Sequence, residues 1–140
     1  MILALRVLHA ALGLAAIAIC LSILLLGPAA TAGFTEARYE ALTGGAGRLT
    51  GPWPATMDSE LRFFAPFWGA FGLAALAVAR DPRRRRRWVP ILAAVFFAGG
   101  IGRAISLATV GAPHPVFTLL MAIELVLPLI CLALWRVARF

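Results

Sequence analysis

Residues 61–107 read LRFFAPFWGAFGLAALAVARDPRRRRRWVPILAAVFFAGGIGRAISL, two apolar runs hinged on a basic turn. The runs are Leu61–Ala79 and Val89–Leu107, and the link between them, Arg80-Asp81-Pro82-Arg83-Arg84-Arg85-Arg86-Arg87, carries six arginines in eight residues. Each run approaches the roughly 20 residues needed to cross about 30 Å of hydrocarbon. Backbone polar groups left unpaired in lipid are too costly, so such runs form helices. Working outward, Leu3–Leu26 and Val116–Trp135 are two more spans of this kind, the first broken only by Arg6 and His9. None alternates as a barrel strand would. The sequence therefore predicts an all-α membrane protein, a single four-helix transmembrane domain over residues 1–140, with spans of about 3–26, 61–79, 89–107 and 116–135 and an external segment over 27–60.

Composition agrees. The 140-residue chain is 62% hydrophobic and 14% charged, against about 45–50% and 25% in soluble domains. The net charge is +7, all of the basic residues are arginine, and Lys, Asn and Gln do not occur. An isoelectric point near 11.5 raises nucleic acid as a partner, but the charge is packed into one short loop beside apolar spans. There it acts as a topology signal and a contact for anionic lipid, so no nucleic-acid partner is expected.

Short Arg-rich loops stay on the cytoplasmic side. With residues 80–87 inside, both termini fall inside as well (N-in/C-in), in keeping with Arg6 before the first span and Arg136 and Arg139 after the last. On the other face, Arg38 and Arg48 are offset by Glu36, Glu40, Asp58 and Glu60, and the Thr109–Pro115 link is uncharged. The expected location is the cytoplasmic (inner) membrane of a bacterium, crossed several times. Ala30-Thr31-Ala32 resembles a signal-peptidase site, but the apolar run before it exceeds a signal core of roughly 7–15 residues, so a retained helix is expected.

Within the external segment, Phe34–Leu42 reads as a short interfacial helix capped by Thr35, broken by Gly44-Gly45-Ala46-Gly47. Gly51-Pro52-Trp53-Pro54 reads as a turn, and Asp58-Ser59-Glu60 as the cap of the second span. Cys20 and Cys131 fall near opposite membrane faces and are expected as buried small hydrophobes rather than a disulfide or metal site. His9 is expected to pack and hydrogen-bond in its helix, and His114 to be solvated; on opposite sides of the membrane, they share no metal. No cofactor is expected. Small residues spaced by four (Ala94, Ala98 and Gly102; Ala65 and Gly69; Ala11 and Ala15) permit close helix contact, internal first, with a homodimer as the second use. Pro128 is expected to bend the fourth helix.

Asp58-Ser59-Glu60-Leu61-Arg62-Phe63-Phe64 leads into Gly69-Ala70-Phe71-Gly72, then come Gly99-Gly100-Ile101-Gly102-Arg103 in the third span and Glu124 in the fourth. In these residues, over nearly the whole chain, the sequence resembles the bacterial small membrane proteins grouped as domain of unknown function family 4345. The resemblance implies an acidic residue ahead of an arginine at the entry to the second helix, a Gly-Arg in the third and a Glu in the fourth. Here those are Glu60 or Asp58 with Arg62, Gly102-Arg103, and Glu124. Where such proteins often carry Tyr-Gly-Gly after the entry arginine, this chain has Phe64-Ala65-Pro66. The resemblance implies no activity.

Charge inside a bilayer costs about 2.5–3.5 kcal/mol per residue on insertion scales, so such residues pair or line a wet cavity. Arg103 lies about 6–8 Å, and Glu124 about 12 Å, below the outer ends of adjacent antiparallel helices, within reach of one another. Asp58, Glu60 and Arg62 gather at the outer mouth of the second helix, Asp58 and Arg62 four apart on one face. Two roles stay open: a clamp between Arg103 and Glu124, or an outward pocket lined by Asp58, Glu60, Arg62, Arg103 and Glu124 with Phe63, Phe67 and Phe117 as apolar walls. The functional expectation is a non-catalytic module binding membrane lipid, a lipophilic ligand or a membrane-protein partner through that polar site. The alternatives are a lipid-modifying or isomerising enzyme with Glu124 as acid/base and Arg103 tuning it, and an accessory subunit of a larger complex. The topology is testable. A reporter active only in the cytoplasm works when fused after Phe140 or inserted within Arg83–Arg87 and fails when inserted near Gly45; the inverse pattern overturns the orientation.

Overall fold

A computed structural model describes residues 1–45 and 53–138. Five helices follow in order: α1 (Ile2–Leu26), α2 (Pro28–Thr43), α3 (Ala55–Arg80), α4 (Trp88–Thr109) and α5 (Pro115–Val137). Among the described residues no strand occurs. α1, α3, α4 and α5 are each long and apolar enough to cross a membrane. Below, the end of the bundle bearing the Arg83–Arg87 turn is the basic end, and the other the far end.

Large apolar side chains lie on the surface far more often than in a soluble bundle, and alanine makes up much of the buried set. Large side chains such as Leu3, Leu14, Leu25, Leu73, Ile91 and Leu129 lie on the surface, while Ala16, Ala65, Ala75, Ala79 and Ala93 are buried. Lipid tails solvate leucine as well as a core does, so nothing drives the large residues inward; small ones let backbones approach. Apolar surface on four helices of spanning length marks a multi-pass membrane protein.

The tightest approach joins α1 to α3. A Cβ placed on Gly13 would stand 2.8 Å from the Gly72 carbonyl oxygen, and one on Gly72 2.8 Å from that of Gly13. The two backbones therefore touch, and neither position accepts a side chain without displacing a helix. Gly69 extends the contact, its Cβ position 3.0 Å from Cys20 Sγ. Two arginines then fasten the pair at both ends. Arg6, near the start of α1, donates from Nε to the Ala79 carbonyl at the end of α3, 3.0 Å. Arg62, near the start of α3, donates from Nη1 to the Leu24 carbonyl at the end of α1, 2.7 Å. The last four carbonyls of a helix lack intrahelical partners and carry its negative pole, so a guanidinium there satisfies both needs.

α4 and α5 form a second close pair, meeting where a Cβ on Gly100 would stand 2.9 Å from Leu125 Cδ2 and 3.1 Å from Glu124 Cβ. The two pairs touch one another far less. They join at the basic end, where Leu5, Ala75, Val78, Val89, Leu92 and Ala138 make a buried cluster packed against Phe71, Leu134 and Trp135. The Arg-rich turn between the pairs is closed by Asp81 Oδ1, which accepts from the Arg84 amide at 3.1 Å.

Several expectations need correction. The second span begins at Ala55 rather than Leu61, with Pro54 as its N-cap; Asp58, Ser59 and Glu60 are inside the helix and make no side-chain cap bond, although Asp58 stands in its first turn, where a negative charge is favoured. The interfacial helix is not 34–42 capped by Thr35 but the whole of Pro28–Thr43. Gly27, at φ +94, makes a corner, and Pro28 starts the new helix with its φ already set. Thr35 lies mid-helix, donating to the Thr31 carbonyl at 2.9 Å. Gly44 ends α2 in the left-handed conformation, as the glycine run suggests; Ala46, Gly47, Arg48, Gly51, Pro52 and Arg139 lie outside the described residues. Of the small-residue stripes, Ala65 and Gly69 are internal, but Ala11 and Ala15, and Ala94, Ala98 and Gly102, are exposed. The glycines that do the packing on α1 and α3, Gly13 and Gly72, are outside these stripes. Pro128 is buried within a continuous α5.

His114 is not solvated: its side chain is 4% exposed. Its Nδ1 caps α5 by accepting from the Val116 amide at 3.2 Å, and its ring meets that of Tyr39 edge-on, centroids 5.7 Å apart. It thereby docks α2 on the start of α5. His9 is buried, its Nδ1 2.8 Å from the Leu5 carbonyl, and both cysteines are free and buried.

The Gly13–Gly72 contact sets the order of stability. Gly72→Leu or Gly13→Leu overpacks by about 1–3 kcal/mol and lowers the melting temperature in detergent, whereas Gly102→Ala, with no atom within 4 Å of the new methyl, leaves it unchanged or raised. Equal losses at Gly72 and Gly102 would contradict the assigned helix pairing.

Candidate functional site

The site grows from the run of glycines on α4. Gly99 and Gly100 present bare backbone to α5, and the Glu124 carboxylate lies in the space, its Oε2 3.8 Å from where a Gly99 Cβ would stand. One turn toward the far end, Arg103 reaches back and donates from Nε to Glu124 Oε2 at 2.8 Å. The guanidinium carbon is also 5.8 Å from the centre of the Phe117 ring on α5, a favourable cation–π position. The pair is asymmetric: the Glu124 side chain is 6% exposed and that of Arg103 36%. The carboxylate is packed away, and the guanidinium is what an occupant of the surrounding space would meet.

That space is a cavity of about 470 Å³ between the two helix pairs. It is what remains where pairs joined at the basic end stand apart. α1 contributes Leu12, Ala15 and Ile19, α3 Trp68 and Phe71, α4 Phe96 and Arg103, and α5 Leu120, Ile123 and Glu124. α2 covers it with Pro28, Thr31, Ala32 and Thr35, and Trp53 and Phe117 stand beside Arg103. Arg103 and Glu124 are the charged residues of this lining. The Thr31 hydroxyl is engaged with the Gly27 carbonyl and with Ser22 Oγ, both at 2.8 Å. A smaller hollow of about 170 Å³ adjoins toward the far end; it shares Trp53, Arg103 and Phe117 and adds Ser106, Thr118 and Met121.

The five charges expected at one site are divided. Arg103 and Glu124 meet on the cavity wall. Asp58 and Arg62 form a separate pair, Oδ1 to Nε 2.7 Å, and Arg62 is committed to the end of α1; neither lines the cavity. Glu60 is exposed. Of the aromatic walls, Phe117 is in place, whereas Phe63 and Phe67 are exposed and packed on each other and on Phe64. The Arg103–Glu124 ion pair is direct, as a clamp requires, and a cavity adjoins it, but this is not the five-charge pocket expected from the sequence.

Sequence reasoning missed Trp68 and the cover of the cavity. Glu36 is buried on α2 with Pro28 and Ala32, and an inward face made of a proline, an alanine and a glutamate leaves no hydropathy signal in the sequence.

Arg103→Met strands a buried carboxyl and costs about 3 kcal/mol or more, while Glu124→Leu costs less because the freed guanidinium already faces the cavity. The double variant recovers much of either loss. Melting in detergent completes the cycle, and additive losses would mean that the two side chains do not interact.

No curated protein and no solved structure matches the chain significantly. The Gly-Gly-x-Gly-Arg run on α4 and its glutamate partner on α5 both fall within residues 4–135, the stretch that matches a family profile, and the chain belongs to that family, described as Domain of unknown function (DUF4345).

Proposed function

We propose that this chain is a non-catalytic module of a bacterial cytoplasmic membrane that holds a lipophilic molecule between its two helix pairs. The carrying observation is the cavity of about 470 Å³, walled by aliphatic and aromatic side chains with one ion pair among them. Small-molecule sites are concave, mostly apolar and of roughly 300–1,000 Å³, with a few placed polar groups fixing orientation. An acid/base role for Glu124 would need an accessible carboxyl; its low exposure and its bond to Arg103 favour binding over catalysis. The positive-inside rule puts the Arg83–Arg87 turn and both termini in the cytoplasm, so the cavity opens in the outer half of the bilayer.

Trp53 and Trp68 line the cavity, and bromine quenches indole fluorescence on contact. With Trp88 and Trp135 replaced by Phe, the methyl ester of dibromostearic acid quenches the remaining fluorescence saturably in detergent. Ala15→Phe, which fills the cavity from α1, weakens that binding about tenfold or more, roughly 1.4 kcal/mol. Quenching that rises without saturation and ignores Ala15→Phe would sink the reading.

A further inference from the structure

The donor count at Arg103 carries the ligand's chemistry further, on the reading that the cavity is a ligand site. A guanidinium offers five N–H donors in a fixed fork and no acceptor. Arg103 spends Nε on Glu124; its Nη1 and Nη2 groups bond no described residue, and that leaves four donors on a side chain 36% exposed. They stand where the larger cavity meets the smaller hollow, since Arg103, with Trp53 and Phe117, lines both. Unspent donors at membrane depth are costly unless an acceptor or water meets them.

Charge narrows the acceptor. Arg103 and Glu124 sum to zero, and they are the charged residues in the lining of either space. An anionic head placed on Arg103 would face the Glu124 carboxylate with no second cation among the described lining residues to offset it. A cationic head would meet the guanidinium first, because Glu124 is the shielded partner. A neutral acceptor avoids both costs and gains a charge-assisted hydrogen bond. We propose that the site selects lipophiles with an uncharged carbonyl oxygen in the head, of the ester, ketone or quinone class. The carbonyl sits on the Arg103 Nη groups at the junction of the two spaces, and the apolar chain lies in the larger cavity among Leu12, Ile19, Phe96 and Leu120.

Three probes of one chain length separate the outcomes by the same tryptophan quenching: dibromostearate methyl ester, dibromo-octadecane, and dibromostearate at alkaline pH. The ester is expected to bind roughly ten- to a hundredfold tighter than the hydrocarbon, the span of a hydrogen bond to a charged group, and tighter than the carboxylate. In the Arg103→Met/Glu124→Leu double variant, which keeps the wall apolar and neutral, the ratio of ester to hydrocarbon affinity falls to about one. Arg103→Lys, which keeps the charge without the fork, is expected to lie between. Equal binding of ester and hydrocarbon to the unaltered protein overturns the selection while leaving the cavity a ligand site. A preference for the carboxylate overturns it in favour of an anion site. Absence of saturable quenching by all three removes the ligand site itself, and this inference with it.

Discussion

The contact of Gly13 with Gly72 is the constraint from which the remaining architecture follows. In lipid there is no hydrophobic force to bring one apolar helix to another, so close packing and interhelical hydrogen bonds decide which helices pair. With two glycines face to face, α1 and α3 come within backbone contact. α4 and α5 are then left to each other, joined at Gly100. The two pairs close at the basic end and stand apart toward the far end, and that separation is the cavity.

Arginine does three different kinds of work here. Arg6 and Arg62 each satisfy a carbonyl at the end of the neighbouring helix, a use that depends on the reach of the side chain and its persistent charge. Arg103 pairs with a buried carboxylate and keeps donors that no described residue takes up. The arginines of the turn after α3 serve as a charged flank, with Asp81 holding the backbone in place. Arg62 and Arg103 read alike in the sequence, each an arginine close to an acidic partner, yet one closes a helix pair and the other borders an opening.

α2 covers one side of the cavity. Its entry is set by the corner at Gly27 and the proline after it. Its far part is held by the docking of Tyr39 on His114, and a bond between Ser22 and Thr31 ties its first turns to α1. Because Thr31 and Thr35 turn their hydroxyls to backbone carbonyls, the cover adds methyl groups to the cavity without unsatisfied polar atoms. The space stays mostly apolar except at Arg103 and Glu124.

The four spanning helices and the pairing of Arg103 with Glu124 were legible in the linear sequence, because each follows from a strong one-dimensional rule. Hydrocarbon thickness sets run length, and charge at membrane depth must find a partner within reach of its own and the adjacent helix. The start of α3 was misplaced, since helices continue past the membrane boundary where hydropathy falls silent. The exterior helix was underestimated, since residues 28–33 carry no amphipathic pattern of their own and their order comes from the corner at Gly27. What the tertiary structure alone decided was which small residues touch, that Arg62 turns to the end of α1, that His114 is buried under α2, and that a cavity lies beside the ion pair. The physical reason is common to all four: each depends on the rotation and tilt of one helix against another, which backbone contact at a few glycines selects and which the spacing of residues along a single helix does not encode.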